Sequence, residues 1–318
     1  MLARPIVRRR TAHQLSSDIA TSREVSLVRA LSYTNFVVSL RFAPLILFAV
    51  ATALAQRSSG PAKGILVVDG GGTSKLVVDE FVRLAGGQKA KIVVIPTGAS
   101  SLRFGEEKTI LNLDWPRSRP EWAIYEKHLR ELFGVGSITI LHTRDRAVAN
   151  SVEFVEPLSK ATAVFLGTGN AGRHAAAYLG TRTQGALKDL LDRGGVIMGS
   201  SAGSIILGSF VVRGRPDKPL PMAPGHTEGF GFLKNVAINP HLTSAKRDNE
   251  LVNVCDENPS ILGLGLDDEV ALIVRANSFD VIGKGGVAVY DNLPKEGAWY
   301  YWLKPGDSFD LAAWKRTP

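Results

Sequence analysis

The sequence has almost no cysteine, since Cys255 is the only one among 318 residues. A single thiol cannot close an internal disulfide, and no cysteine or histidine lies beside Cys255 at the spacing of a metal site. The flanking apolar positions predict a helix around it, so we expect a buried structural thiol. The sequence therefore falls outside the disulfide-stabilised and zinc-binding classes of protein, and we expect no metal site.

Long hydrophobic runs are absent as well. Residues 42–55 are nearly all apolar, but a membrane-spanning helix needs about 20 such residues. The run follows Arg41 and ends in Ala53-Leu54-Ala55, which is the pattern of a secretory signal peptide cleaved after Ala55. We expect residues 1–55 to be a leader, residues 56–63 a linker, and the mature protein to be secreted or periplasmic. We expect no stable membrane span, and an uncleaved anchor is the alternative.

The net positive charge is small outside this leader. The chain has 38 basic and 30 acidic residues, which gives a net charge of +8. Seven arginines and only two acidic residues lie in the first 55 positions, so the remainder carries a net charge of +3. Nucleic-acid-binding proteins commonly owe their affinity to a strongly basic surface. We therefore expect no nucleic-acid partner.

From Gly64 onward, short β-rich runs alternate with amphipathic segments of helical periodicity. Strands separated by helices imply right-handed crossovers and a parallel sheet covered on both faces. After Ile261 the pattern is mostly that of strands and turns. We expect one domain, residues 64–318, with an α/β fold, a doubly wound, mostly parallel sheet and a β-rich C-terminal part. The predicted strands are 65–68, 91–95, 137–141, 163–166 and 196–198, and the predicted helices are 77–85, 120–133 and 147–158.

The strand at 196–198 runs directly into Gly199-Ser200-Ser201-Ala202-Gly203, and an apolar segment able to form a helix follows. A Gly-x-Ser-x-Gly turn between a strand and a helix is the geometry of a nucleophile elbow. An ordinary Gly-Ser turn is the alternative. Active sites in such sheets lie beyond the carboxyl ends of the strands. Two further turns, 69–73 and 167–170, are predicted at the same edge, which favours the elbow.

The turn Asp69-Gly70-Gly71-Gly72-Thr73 suggests a different function. Its backbone N–H groups could receive a phosphate, and the turn is similar to the phosphate loop of actin-like sugar kinases. In those kinases a hairpin follows the glycines, whereas here a helix pattern follows. The turn matches neither the P-loop nor the dinucleotide-binding motif. A kinase is therefore an alternative to a turn that is structural or lines the active site.

A nucleophilic serine needs a base, and the base needs a third group to orient it. Asn239-Pro240 end the predicted strand 236–238, and His241 follows them directly. Its imidazole is therefore expected at a strand end. This position makes His241 the best candidate for the base of Ser201. The other histidines beyond the leader are His128, His142, His174 and His226.

The orienting group is predicted in the acidic run Asp267-Asp268-Glu269, which lies between two apolar strands. Carboxylates in such a place are costly to bury unless they have partners. An exposed hairpin turn is the alternative for any one of the three.

Together these segments resemble the dipeptidase E and cyanophycinase family of serine peptidases, with the cyanophycinase side more similar. The resemblance covers residues 64–291 and rests on segments 85–97, 164–170, the elbow, His241 and 263–271. It implies a flavodoxin-like sheet related to class I glutamine amidotransferases, and it implies no cofactor. The order Ser, His, acid is the order of this family.

The resemblance also assigns roles to individual residues. It implies Ser201 as the nucleophile, His241 as the base and Asp268 as the acid. The backbone N–H groups of Gly169 and Ala202 would form the oxyanion hole. Asn170 and Arg247 would bind the substrate.

Four positions depart from the family pattern. Asn239 and Pro240 replace the usual Asp-Gln before the histidine, Ala171 stands where a pocket glutamine is usual, and Glu250 stands where an arginine is expected. These changes affect substrate recognition rather than the predicted triad. Residues 213–229, rich in proline and glycine, predict a surface loop that is a candidate lid.

The sequence therefore predicts a secreted serine peptidase that hydrolyses aspartyl bonds through an acyl-enzyme. The expected partner is a peptide or a cyanophycin-like polymer with β-aspartyl-arginine bonds. The alternatives are an aspartyl dipeptidase acting on N-terminal aspartyl peptides and a non-catalytic envelope binding protein. Both a monomer and a homodimer are compatible with the sequence.

Overall fold

The computed structural model describes residues 58–72, 74–218, 220–293 and 298–317, and the predicted leader lies outside these residues. The strands are β1 (Ile65–Asp69), β2 (Lys91–Ile95), β3 (Ser101–Phe104), β4 (Thr109–Asn112), β5 (Ser137–Ile140), β6 (Ala163–Leu166), β7 (Val196–Ser200), β8 (Gly208–Phe210), β9 (Leu233–Pro240), β10 (Leu262–Leu266), β11 (Val270–Arg275), β12 (Ser278–Gly283), β13 (Val287–Tyr290), β14 (Tyr301–Leu303), β15 (Ser308–Asp310) and β16 (Lys315–Thr317).

The helices are α1 (Lys75–Leu84), α2 (Pro120–Phe133), α3 (Arg146–Ala149), α4 (Val152–Lys160), α5 (Ala171–Tyr178), α6 (Arg182–Asp192), α7 (Ala202–Ile205) and α8 (Glu250–Glu257), with a short 3-10 turn at Gly87–Lys89. Within the described ranges, no helix is both long enough and apolar enough to cross a membrane.

A nine-stranded sheet forms the centre of the fold, in the order β16-β15-β12-β11-β1-β7-β6-β2-β5. The five strands from β1 to β5 in this order are parallel to one another. The other four come from the C-terminal part and are antiparallel. This arrangement confirms the predicted α/β class with a mostly parallel sheet and a β-rich C-terminal part.

Successive residues of a strand point to opposite faces of the sheet, and in the central strands the side chains on both faces are apolar. Helices therefore cover both faces of this sheet. Val67 of β1 packs with Phe81 of α1 and Leu129 of α2 on one face. Leu66 of the same strand packs on the other face, in a cluster that includes Tyr178 of α5. Such two-sided burial explains why the central strands are apolar runs rather than alternating ones.

A second, five-stranded sheet has the order β14-β13-β10-β9-β8, and the sequence pattern did not predict it as a separate layer. Its buried residues belong to the same cluster as Leu66. The elbow helix α7 is only four residues long, and the apolar segment after it enters β8 at Gly208. A short, fully buried apolar run fits a helix and a strand equally well, so periodicity could not locate this boundary.

Two local predictions need correction. The helix expected over 147–158 is two helices, because Asp145 caps α3 by accepting from Ala147 N (2.7 Å) and Ser151 caps α4 by accepting from Phe154 N (3.2 Å). Each such side chain satisfies an N–H group that starts a new helix. The polar loop expected after Pro96 contains the β3–β4 hairpin.

The end of the predicted linker packs against the domain. Ser58 is buried, and its Oγ donates to Asn235 O (3.1 Å) and accepts from Trp314 Nε1 (2.8 Å). Gly60 N donates to Ala276 O (2.7 Å). These bonds attach the chain segment before β1 to residues from the far end of the sequence.

Candidate active site

Ser201 lies at the sharp turn between β7 and α7. Its backbone has φ 53° and ψ −111°. This conformation is strained for a residue other than glycine, and such strain is found mainly at functional sites. The turn is tight enough that a Cβ on Gly199 would lie 2.2 Å from Gly203 O. Small residues at these two positions therefore permit the bend, and the geometry is that of a nucleophile elbow.

Hydrogen bonds that Asp69 accepts at the end of β1 hold this turn in place. Asp69 O accepts from Ser201 N (3.1 Å) and from Ser204 Oγ (2.7 Å), and its Oδ2 accepts from Ser200 Oγ (2.6 Å). Strand pairing explains the contact, because Asp69 lies directly opposite Ser200. The sequence predicted only a turn at 69–73, and the signal for this role of Asp69 was a single carboxylate at the end of an apolar strand.

His241 lies beside Ser201, with its Nε2 2.8 Å from Ser201 Oγ. It follows β9 at a positive φ of 57°, and its backbone N–H donates to Gly70 O (3.2 Å). The glycine-rich turn after β1 therefore forms one wall of the site. Because a helix rather than a hairpin follows this turn, it differs from the kinase loop.

Asp268 contacts the other side of the same imidazole, through a short bond between its Oδ1 and His241 Nδ1. Its Oδ2 accepts from Ser244 Oγ (2.6 Å). Partial burial raises the pKa of Asp268, but the hydrogen bonds from Ser244 and His241 outweigh burial, and the net pKa is lowered. An ionised carboxylate accepts a hydrogen bond from Nδ1–H, which leaves the Nε2 lone pair facing Ser201.

The two neighbours of Asp268 have other partners. Asp267 accepts from the backbone N–H groups of Thr243 and Gly286, each at 3.2 Å. Glu269 pairs with Lys284 at 3.3 Å near the surface. Within the acidic run, Asp268 is therefore the carboxylate that contacts His241.

The predicted oxyanion donors belong to two turns that follow neighbouring strands of the central sheet. Leu166 at the end of β6 pairs with Gly199 of β7, so the turn at 167–170 runs alongside the elbow. Gly169 has a φ of 122° and packs so closely on Gly98 that a Cβ would lie 2.3 Å from Gly98 C. Ala202 begins α7, where a backbone N–H has no partner within the helix.

Asn170 is engaged by the protein itself. Its Oδ1 caps α5 by accepting from Arg173 N (3.3 Å), and its Nδ2 donates to Arg215 O (3.0 Å). Oδ1 therefore ties the turn to α5, and Nδ2 ties it to the candidate lid, residues 213–229. The predicted role of Asn170 in substrate binding stays a prediction.

Arg247 is half-buried near His241 and donates to Pro240 O (3.0 Å). Burial and then the nearby Arg213 lower the pKa of its guanidinium, while Glu250 and Asp268 oppose this effect. An arginine in this position has spare donors for a carboxylate.

Two of the positions that depart from the family pattern contact each other. Asn239 is wholly buried and donates through Nδ2 to Glu250 Oε2 (3.0 Å). Arg213 forms a bidentate ion pair with Glu250, with bonds of 2.5 and 3.1 Å. The changes at 239 and 250 therefore belong to one network, which also attaches the candidate lid to α8.

The remaining histidines have other surroundings. His174 is wholly buried and bonds to Gly167 O (3.0 Å), while His142 bonds to Thr97 Oγ1 (2.9 Å). His128 packs against Phe104. No cluster of three or more metal-ligating side chains occurs among the described residues.

A serine at a strained strand–helix turn, with a histidine and a carboxylate in line, defines the class of serine-type hydrolases. The model of Peptidase family S51 matches residues 65–282, and the chain belongs to this family. The protein is a serine-type peptidase. This membership confirms the predicted family resemblance and favours it over the kinase and the binding-protein alternatives.

Two relatives agree with this assignment, and a solved structure agrees with the fold. The chain is 27% identical over 237 residues to a cyanophycinase of Synechococcus elongatus, covering 72% of this chain and 68% of the relative. It is 26% identical over 250 residues to a cyanophycinase of Nostoc sp. (strain PCC 7120), covering 76% and 78%. The crystal structure of a peptidase from an acI-B1 Actinobacterium superposes with a TM-score of 0.57 at 21% identity, covering 79% and 98%, which supports the fold.

Proposed function

We propose that this peptidase hydrolyses aspartyl peptide bonds through a Ser201-His241-Asp268 triad. The observation that carries the proposal is the 2.8 Å contact between His241 Nε2 and Ser201 Oγ. The Asp268 contact to Nδ1 of the same ring supports it. A serine hydroxyl is a weak nucleophile until such a base accepts its proton.

In the first half of the reaction, Ser201 Oγ attacks the substrate carbonyl carbon while its proton moves to His241 Nε2. Asp268 stabilises the imidazolium that forms and holds the ring in its productive tautomer. The oxyanion of the tetrahedral intermediate lies against the N–H groups of Gly169 and Ala202. Loss of one such donor typically lowers turnover about 10²–10³-fold.

In the second half, His241 gives its proton to the leaving amine, and the C–N bond breaks. An ester between the substrate acyl group and Ser201 remains. Water then attacks this ester and gives its proton to His241, and the proton returns to Ser201 as the carboxylic acid leaves. The triad requires no metal and no cofactor for either step.

We propose an acidic group near the scissile bond as the feature of the substrate that Arg247 recognises. A guanidinium can bind a carboxylate through two parallel hydrogen bonds. Relatives of this chain are cyanophycinases, which supports β-aspartyl-arginine bonds as the first substrate to test. The network at Asn239 and Glu250 is where we expect specificity to differ from those relatives.

Hydrolysis assays test the proposal. The purified protein is incubated with cyanophycin, with β-Asp-Arg and with Asp-Leu, and released amines are measured. We expect Ser201→Ala to lose activity on every cleaved substrate with an unchanged melting temperature. Ser159→Ala, at an exposed position of α4, is the control and retains activity. Undiminished hydrolysis by the Ser201 variant would contradict the triad.

We further propose that the enzyme is exported to the periplasm or the medium. The basic flank, the apolar run at 42–55 and the Ala-x-Ala ending support a cleaved leader. N-terminal sequencing of protein recovered from outside the cytoplasm tests this. A chain beginning at Gln56 is expected, and a full-length chain retained in the cells would contradict export.

A further inference from the structure

His174 on α5 is a wholly buried histidine that the proposed chemistry does not use. Its Nε2 lies 3.0 Å from Gly167 O. A carbonyl oxygen can only accept a hydrogen bond, so Nε2 must carry the proton. In the neutral ring Nδ1 is then a bare lone pair, and this buried atom has no partner among the described residues.

The ring fixes the peptide that begins the oxyanion turn. Gly167 N donates to Ile95 O (3.0 Å), and Gly167 O accepts from His174. Both polar groups of Gly167 are therefore held, one by the neighbouring strand and one by the imidazole.

His174 also packs against the segment on which the turn rests. A Cβ on Gly98 would lie 2.6 Å from His174 Nε2 and 2.7 Å from Thr168 O. Gly98 O accepts from Asn170 N (2.9 Å). The imidazole thus contacts both layers of backbone, the turn at 167–170 and the support beneath it at Gly98.

The direction of the Gly169 N–H follows from this packing. The carbonyl of Thr168 and the N–H of Gly169 belong to one planar trans peptide and point in opposite directions. Because Thr168 O faces Gly98, the Gly169 N–H faces away from Gly98. A rotation of the Gly167–Thr168 segment would turn this donor with it.

We infer that His174 is a positioning residue that aims the Gly169 N–H by holding Gly167 O through its Nε2 proton. The inference rests on the proposed function, because Gly169 is a donor only if Ser201 forms a tetrahedral intermediate. Burial lowers the pKa of His174 to about 4, more than the bond to Gly167 raises it. The neutral ring with its proton on Nε2 is therefore the stable form near neutral pH, and it leaves no unpaired N–H on the buried Nδ1.

The matched pair His174→Gln and His174→Asn tests the role. The glutamine amide nitrogen is as many bonds from the backbone as Nε2 is, so it can donate to Gly167 O, whereas the asparagine nitrogen is one bond short. We expect His174→Asn to lower kcat on the cleaved aspartyl peptide by about 10–100-fold, since a misaimed donor loses part of its effect. KM should change less than about threefold, and His174→Gln should recover most of kcat. A residue that only fills space gives equal losses in both variants, and that result would overturn the inference.

Two further readouts separate possible failures. In wild-type protein labelled with ¹⁵N-histidine, NMR should show a neutral His174 with a slowly exchanging Nε2 proton, and an Nδ1–H tautomer would overturn the inference. Labelling by a fluorophosphonate reports the serine itself. An unlabelled wild type would overturn the proposed function and this inference with it. A labelled wild type with equally active Asn and Gln variants would overturn the inference alone.

Discussion

Gly71 lies directly against the imidazole of His241, so that a Cβ at position 71 would be 2.1 Å from Cε1 of the ring. The carbonyl of Gly71 accepts from Glu269 N (2.8 Å), so the same turn also contacts the acidic run. The imidazole of His241 therefore leaves no room for a side chain at position 71 of this glycine-rich turn, whose sequence resembles a phosphate loop. The turn follows β1 and contacts both His241 and the acidic run.

A methyl group at position 71 should therefore damage catalysis. We expect Gly71→Ala to lower kcat/KM by about 10²-fold, because displacement of a catalytic group by about 1 Å has an effect of that size. Gly86→Ala is the matched control, since Gly86 has φ 109° against 112° for Gly71 and no atom near its Cβ position. The control should lose about 1–2 kcal/mol of stability through the backbone alone and keep its activity. Equal activity of the two variants would contradict the contact.

The acid of the triad can be tested by removing its charge. Asp268→Asn leaves the shape of the side chain but no longer favours the Nδ1–H tautomer of His241. We expect kcat to fall by about 10⁴-fold, which is the order seen when the orienting carboxylate of such a triad is lost. Asp256→Asn, on an exposed position of α8, is the control and should be as active as the wild type. A loss below about tenfold would show that Asp268 does not orient the base.

Arg247 is predicted to act on binding more than on chemistry. Arg247→Ala should raise KM for aspartyl peptides by about tenfold or more with a smaller change in kcat, since a hydrogen bond to a charged group contributes about 1.5–3 kcal/mol. Lys246→Ala, at the exposed neighbouring position, should leave both constants unchanged. A fall in kcat at constant KM would instead place Arg247 in transition-state stabilisation.

Stability should decrease in acid through the buried histidines. Burial lowers the pKa of His174 and of His142 to about 4 from 6.5. The unfolded chain therefore takes up these protons first, so the stabilisation is fully present above about pH 6.5 and is lost as the pH falls towards 4. The loss is roughly 3 kcal/mol for the fully buried His174 and smaller for His142.

Urea unfolding between pH 7 and 4 measures this effect. His174→Gln has no proton to take up at position 174, so its free energy of unfolding should vary less with pH than that of the wild type. Parallel curves for the two proteins would contradict a neutral buried His174. Carboxylates such as Asp268, whose pKa is lowered in the folded state, add a further loss at lower pH that both proteins share.

The elbow and the parallel strands were predictable because their signals are local. Gly199 and Gly203 flank Ser201 in sequence, and each central strand is an apolar run between turn residues. His241 and Asp268 could be proposed because parallel strands end at a common edge, and Pro240 indeed pairs with Leu266 in the structure. The second sheet, by contrast, could not be predicted, since fully buried strands show no alternation that identifies their partner.

The contacts that support the site could not be predicted from the sequence for a related reason. Asp69 reaches Ser200 across 131 positions, and Asn170 holds Arg215 across 45. Such contacts depend on strand order and loop path, which a single sequence does not specify. The same holds for Arg213, Glu250 and Asn239, which come together only when α8 and the candidate lid are in place.

Ser201 as the nucleophile is tested most directly by covalent labelling with a fluorophosphonate. Mass spectrometry of the digested protein then maps the labelled residue. We predict one adduct, on Ser201, with labelling abolished in Ser201→Ala and strongly slowed in His241→Ala, while Ser159→Ala is labelled at the wild-type rate. An activated serine is what this reagent requires. No adduct, or an adduct on another residue with Ser201 unmodified, would contradict Ser201 as the nucleophile.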